Sequence, residues 1–213
     1  MFPDLTTQLR TVELGTWSLT LELPCDIDEI IDYYAQHHAA DINLLPYYAE
    51  LWPSAVALAN FLLSWNYRLT GAQVIELGCG LGLPSLVAAG RGARVLATDF
   101  HPHNEYFLRR NIALNDLANI AYCLLDWNSP PPNLSADIII GSDLIYESRN
   151  VEPFVQCTAA LCKPNGVLVL ADPGRPHLQN TVLLLRNRGF HDTLHIVDDI
   201  FIIEFLNAAS STR

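Results

Sequence analysis

The sequence predicts an α/β domain: a mostly parallel sheet covered by helices on both faces. Three observations carry that expectation. From residue 73 onward, apolar runs of strand length alternate with amphipathic stretches of helical period. A glycine-rich turn, Gly78-Cys79-Gly80-Leu81-Gly82, follows the first of those runs directly. An acid stands at or just after the end of each of the first five runs: Glu76, Asp99, Asp126, Asp143 and Asp172.

The elements follow in order. Residues 9–14 and 18–23 alternate apolar with polar about Gly15-Thr16, which predicts a small hairpin. Residues 26–38 predict a helix capped by Asp26, with Ile27, Ile30, Ile31 and Tyr34 on one face. Pro53 opens a second helix running to about Trp65, because proline at the first helical position loses no needed N–H. Residues 1–70 are therefore expected to be a hairpin and helices that cover the active site as part of the same domain, and residues 71–213 its core.

Within that core, residues 74–77 form a short buried strand, then the glycine turn, then a helix entered through Pro84. Residues 93–98 form the second strand, ending at Asp99. A helix over 104–114 follows, with Phe107, Leu108, Ile112 and Leu114 as its apolar positions. Residues 119–125 and 137–141 are the third and fourth strands, ending at Asp126 and at Ser142-Asp143. A helix over 150–162, a strand over 166–171 ending at Asp172 and a helix over 178–188 complete the alternation. The last two strands, 192–197 and 200–206, are joined by Asp198-Asp199, which is short enough only for an antiparallel hairpin at the sheet edge.

Composition sets the outer bounds. The 213 residues are 50% apolar and only 16% charged, enough for one domain with a sizeable core. The longest apolar runs, such as 167–171, fall far short of a membrane span. The N-terminus has no basic stretch leading into an apolar one, so no secretory signal is expected. Five cysteines, an odd number with no CxxC pair, argue against a disulfide framework or structural zinc, and a reducing cytoplasm is expected. The net charge of −11 argues against nucleic acid as a partner and favours a basic one.

Ligands of open parallel sheets bind beyond the carboxyl ends of the strands, where the strand order reverses. A glycine turn after the first strand with acids after the second and third defines a nucleoside cleft there. The glycines let backbone approach a ligand closely. The helix behind them is expected to offer free N–H groups to an anion. Asp99 lies where a carboxylate accepts both hydroxyls of a ribose, and it would repel a 2′-phosphate. The rival ligand is NAD, whose fingerprint is G-x-G-x-x-G. Here the third glycine falls one residue early, and an acid stands two residues before the first.

The stretch Val74-Ile75-Glu76-Leu77-Gly78-Cys79-Gly80-Leu81-Gly82 resembles motif I of class I, Rossmann-like, S-adenosylmethionine-dependent methyltransferases. Those enzymes have a seven-stranded, mostly parallel sheet finished by an antiparallel C-terminal hairpin. More narrowly, residues 47–59 (YYAELWPSAVALA) and Ser142-Asp143-Leu144-Ile145-Tyr146 resemble the seven-strand protein-lysine methyltransferases, with a Trp before motif I and Asp-x-x-Tyr after the fourth strand. The segment Ala171-Asp172-Pro173-Gly174-Arg175 is similar to the branch acting on the electron-transfer flavoprotein β-subunit, which includes bacterial proteins labelled as nicotinamide methyltransferases. The likeness runs over about residues 45–206.

The resemblance implies that Glu76, Gly78 and Gly80 frame the methionine end of S-adenosylmethionine, within the loop that also holds Cys79 and Gly82. It places Asp99 on the ribose, Phe100 beside the adenine, Asp126 on the adenine amino group and Trp127 against the ring. Trp52 would close the site, and Ser142 would lie by the methionine portion. Asp143 and Tyr146 would face the methyl acceptor, expected to be a lysine-bearing protein. The product would be S-adenosylhomocysteine. A small amine resembling nicotinamide, or a silent cofactor-binding module acting through protein contacts, are the competing expectations.

Methyl transfer from a sulfonium is an in-line displacement for which the protein mainly supplies proximity and alignment, worth up to about 7–11 kcal/mol. No metal or nucleophile is required. His37-His38 and the His101/His103 pair lack a convincing third ligand, so no metal is expected. Cys79 has no paired base and reads as a small buried residue. A lysine acceptor must first lose its proton. Asp143 can orient the ammonium, but a carboxylate also stabilises the charged form.

Overall fold

The computed structural model describes residues 5–37 and 45–208. Strands β1 (Thr7–Leu14) and β2 (Trp17–Pro24) pair antiparallel from Thr7↔Pro24 to Leu14↔Trp17, as their alternation requires. Helix α1 spans Ile27–His37, with the Asp28 N–H donating to Asp26 Oδ1 at 2.9 Å. Its buried stripe is narrower than expected: Ile30 and Tyr34 are inside, whereas Ile31 is exposed. Residue 38, the expected end of this helix, lies outside the described residues. A 3-10 turn, Tyr47–Ala49, precedes α2 (Pro53–Ser64).

The core then alternates β3 (Gln73–Leu77), α3 (Leu83–Gly90), β4 (Arg94–Asp99), α4 (Glu105–Leu114) and β5 (Ile120–Leu124). It continues with β6 (Ala136–Ser142), α5 (Ser148–Leu161), β7 (Cys162–Asp172), α6 (Leu178–Asn187), β8 (Phe190–Val197) and β9 (Ile200–Asn207). Cys162 belongs to β7 rather than to the helix, and Leu114 is exposed.

The sheet runs β5-β4-β3-β6-β7-β9-β8. Strands β3 to β7 pair parallel, and β9 inserts antiparallel between β7 and β8. Alternation along the strands divides the core in two. Ile138, Ile140, Val167 and Val169 face α2, α3, the α4 residue Phe107 and the hairpin. Ile139, Leu168 and Leu170 face α5 and α6. At 25 cal/mol per Å² buried, each such side chain is worth roughly 1.5–3 kcal/mol.

The N-terminal hairpin shares this core. Leu14 and Leu21 are fully buried in it, and the amides of Asn111 on α4 and of its C-cap Asn115 grip the free edge of β2. Asn111 Oδ1 accepts the Glu22 N–H at 2.6 Å, and Asn115 exchanges two hydrogen bonds with the Thr20 backbone at 3.0 and 2.8 Å. Side-chain amides here replace the strand that an edge would otherwise recruit. Among the described residues no helix is long and apolar enough to cross a membrane.

Candidate active site

Strand order reverses between β3 and β6, so the crevice opens where their carboxyl ends part. One leucine fastens the two sides. Leu144, just after β6, packs over Gly78 and Gly141, and a Cβ on either glycine would lie 2.4 or 2.5 Å from its methyl carbons. Gly78 also has φ +61°, so neither the backbone nor the packing admits a side chain there.

Glu76 is buried and turned away from the crevice. Its Oε2 accepts the Ser85 N–H at 2.9 Å and also the Ser85 hydroxyl. Burial pushes its carboxyl up to about 8, against the pull of those two donors. Glu76 thus pins α3 behind the glycine loop. The expected free N–H groups at this helix are fewer than the sequence suggested: Pro84 has none, and that of Ser85 is spent on Glu76. A diphosphate has little to bind here, which removes the main attraction of the site for a dinucleotide.

Gly82 caps α3, and the Gly80 peptide is tied at both ends. Its N–H donates to Asp99 Oδ2 at 3.1 Å, and its carbonyl accepts from Asn104 Nδ2 at 2.7 Å. Asn104 Oδ1 in turn accepts from the Cys79 thiol at 3.3 Å. Cys79 is buried and its thiol is pushed well up by burial, so it stays protonated and inert. The backbone of Tyr48 crosses this loop, and a Cβ on Gly80 would come within 3.3 Å of the Tyr48 carbonyl.

Asp99 is half-buried at the end of β4, with Oδ1 accepting the His101 N–H at 2.9 Å. Burial raises its pKa, while N–H donors from His101, Gly80 and Phe100 oppose the rise. Each oxygen keeps a lone pair beyond its backbone donor, which suits a diol. Phe100 beside it is 52% exposed, an apolar face next to a carboxylate. Asp126 is exposed, with Oδ1 taken by the Asn128 N–H at 2.9 Å and Nδ2 at 2.8 Å. Trp127 packs edge-on against Phe154 of α5 at 5.5 Å. His101, two residues past Asp99, is buried, its ring 4.3 Å from that of Tyr48.

Across the crevice, Ser142 and Asp143 end β6, and Asp143 adopts φ +57° with its N–H on the Ala171 carbonyl at 3.0 Å. Tyr146 is half-exposed, and its ring lies 5.6 Å from that of Tyr47, which lies 6.2 Å from Trp52. Trp52 Nε1 donates to the Tyr47 carbonyl at 2.9 Å. The Arg175 guanidinium donates to Asp143 Oδ1 at 2.6 Å and stands 6.0 Å from the centre of the Trp52 ring.

Of the site residues expected from sequence, Glu76 is buried behind the crevice against Ser85; the loop Gly78 to Gly82, Asp99, Phe100, Asp126 and Trp127 follow strand ends on one side of it, and Trp52, Ser142, Asp143 and Tyr146 stand on the other. Sequence reasoning gave no role to Tyr47, Ser85, Asn104 and Leu144. Only Tyr47 carried a signal, as a second aromatic five residues before Trp52. Among the described residues no group of three or more His, Cys, Asp or Glu could hold a metal ion. A cavity of about 360 Å³ touched by Ala72, Asp137 and Gly166 lies by the opposite ends of the strands, away from this chemistry.

Sheet order, hairpin and crevice define a class I, Rossmann-like methyltransferase fold. Among solved structures, the Thermus thermophilus 16S rRNA N2 G1207 methyltransferase in complex with AdoMet and guanosine superposes with a TM-score of 0.67 at 20% identity, over 97% of this chain and 52% of that one. The model of the lysine methyltransferase family matches residues 47–184, and the chain belongs to that family. It is 31% identical over 152 residues to the electron transfer flavoprotein beta subunit lysine methyltransferase of Danio rerio, covering 70% of this chain and 57% of the relative. It is 32% identical over 149 residues to protein N-lysine methyltransferase METTL21A of Mus musculus (67% and 68%). Histone-arginine methyltransferase METTL23 of Xenopus laevis is 34% identical over 108 residues (48% and 46%). The chain spans about half the length of the first of these curated relatives.

Proposed function

We propose that the chain is an S-adenosylmethionine-dependent N-methyltransferase that modifies a lysine side chain of a protein. The observation that carries this reading is the pairing, across one switch point, of a diol-ready carboxylate (Asp99) with an acid-aromatic recess built from Asp143, Tyr146, Tyr47 and Trp52. The residues present fit that cofactor. The loop turns through positive φ at Gly78, Gly80 and Gly82, the nearby helix has few N–H groups for phosphate, and an exposed aromatic flanks the carboxylate.

The cofactor supplies an activated methyl group on a sulfonium. In this reading Asp99 takes the ribose hydroxyls, Phe100 and Trp127 flank the adenine, and Asp126 accepts from its amino group. Gly78, Gly80 and Ser142 border the methionine portion, with Glu76, Cys79 and Gly82 fixing the loop. Asp143 positions the acceptor nitrogen, Tyr146 and Tyr47 hold its alkyl stem, and Trp52 bounds the entrance. In this reading the stretch before α2 covers the crevice, a role supported by the passage of Tyr48 across Gly80.

A polymer-borne acceptor is favoured because Tyr47 and Tyr146 are each 45% exposed, which describes an open recess rather than a closed pocket for a small amine. The names of the two lysine-directed relatives support the same choice, and the net charge of −11 favours a basic protein over nucleic acid. Five free thiols agree with a cytoplasmic setting.

Calorimetry should detect S-adenosylmethionine binding. Incubation with methyl-labelled cofactor, cell lysate and purified electron transfer flavoprotein β-subunit should leave label on a lysine-containing peptide, read by mass spectrometry. Label confined to a small molecule would move the acceptor class to the nicotinamide-like reading. Failure to bind the cofactor at all would overturn the assignment.

A further inference from the structure

A lone Asp143 would be a poor partner for the reaction proposed above. It would attract a lysine ammonium and hold it protonated, although only the free amine has the electron pair that attacks a methyl group. The structure does not leave Asp143 alone. Arg175 Nη2 donates to its Oδ1 at 2.6 Å, with the Asp143 side chain only 7% exposed and that of Arg175 28% exposed. The turn that delivers Arg175 is itself fixed. Asp172, fully buried, accepts the N–H groups of Gly174 and Arg175 on its Oδ1 at 2.8 and 2.7 Å. Gly174 takes φ +93° with its α-carbon against the Phe201 ring, where a Cβ would lie 2.8 Å from a ring carbon. Among the described residues Asp143 Oδ2, Asp172 Oδ2 and Arg175 Nε are buried without hydrogen-bond partners. One carboxylate oxygen of Asp143 is therefore committed to a cation, while the other is buried and lacks a donor.

We propose that Arg175 is a positioning residue of the transfer step: it cancels the charge of Asp143, so that Asp143 aligns the acceptor nitrogen without holding it as an ammonium. This rests on the amine-methyltransferase reading. The other groups facing this spot do not supply the same compensation. Asp172 on β7 is acidic, and burial raises its pKa. Tyr146 and Tyr47 bring phenol hydroxyls rather than a cation, with burial pushing the Tyr146 hydroxyl up. Glu147 is paired with Arg149, and Asp99 lies on the cofactor lip. Arg175 is the cation that meets Asp143, through Nη2 on Oδ1.

The step then balances simply. The ammonium releases its proton to solvent before attack, the nitrogen lone pair forms the new N–C bond, and the methyl–sulfur bond breaks with its electrons staying on sulfur. That leaves a methylammonium and S-adenosylhomocysteine.

The test uses n-butylammonium as a lysine side-chain probe on protein saturated with S-adenosylhomocysteine, by calorimetry at pH 7. Arg175→Met exposes the bare carboxylate and should bind the probe about tenfold more tightly or better. Arg175→Lys should behave as wild type, and Arg175→Met combined with Asp143→Asn should lose the gain. In transfer assays the acid limb of the pH–rate profile should move up by about one pH unit or more in Arg175→Met and stay in place in Arg175→Lys. Unchanged probe affinity and an unmoved acid limb in Arg175→Met would overturn the inference, even with methyl transfer intact. An Arg175→Lys protein as altered as Arg175→Met would also count against it, since charge would not be the operative property. Wild-type protein that binds the cofactor yet methylates no amine would refute the underlying reading instead.

Discussion

The two lips of the crevice are built on different principles. On the lip proposed for the cofactor, backbone does the work. The Gly80 peptide is held at both ends by Asp99 and Asn104, Glu76 pins α3, and Leu144 closes over Gly78. On the lip proposed for the acceptor, side chains do it. Tyr47, Trp52, Asp143, Tyr146 and Arg175 come from three separate stretches of chain and meet through one ion pair and edge-on rings. A cofactor of fixed shape tolerates a rigid main-chain mould. An acceptor that differs between relatives is better read by side chains, which change without disturbing the sheet.

Substitutions on the two lips should therefore fail in different ways. The largest effect belongs to Gly80→Arg, which sets a long side chain against the Tyr48 backbone and should abolish measurable S-adenosylmethionine binding in calorimetry. Near-wild-type affinity in that variant would break the contrast at its strongest point. Asp143→Ala should leave cofactor affinity within about twofold yet lower turnover by roughly 10²-fold or more, as loss of an aligning group does. Equal losses of binding and turnover would mean that the two lips are not separable. Trp52→Ala is expected to raise the acceptor KM severalfold and to change kcat less, measured by initial rates at saturating cofactor.

Two smaller effects concern the supports. Asn111→Ala leaves the Leu81 carbonyl and the Glu22 N–H without their buried partner, at a cost of about 1–3 kcal/mol, seen as a lower urea midpoint with unchanged cofactor affinity. Glu76 gives a pH signature. Its folded pKa of about 8 exceeds its ordinary 4.5, so the native state binds more protons than the unfolded chain between those values. Its contribution is fully present below about 4.5 and is lost as the pH rises through about 8. Glu76→Gln should flatten that decline in Tm between pH 5 and 8.

Much of this molecule was legible from its residues. Strand runs ending in acids, a glycine turn of the wrong spacing for a dinucleotide and the closing Asp198-Asp199 turn fixed the α/β class and the hairpin edge, because those patterns are local consequences of backbone sterics and alternation. Strand ends in a parallel sheet share one edge, so the acids in the sequence were also bound to share a cleft.

Orientation was beyond the sequence. Glu76 and Asp99 both read as cleft acids, yet Glu76 turns inward to Ser85 while Asp99 stays at the opening. Ile31, expected on the buried face of α1, is exposed while the polar His101 is buried against Tyr48, because the packing of α1 and the 3-10 turn, not local polarity, sets what is covered. Tertiary structure alone decided that Leu144 locks two glycines and that Arg175 returns over Asp143, 32 residues away. Local sequence dictates dihedral angles and periodicity. Which side chains meet across a crevice depends on how whole elements pack, and no short stretch of residues encodes that.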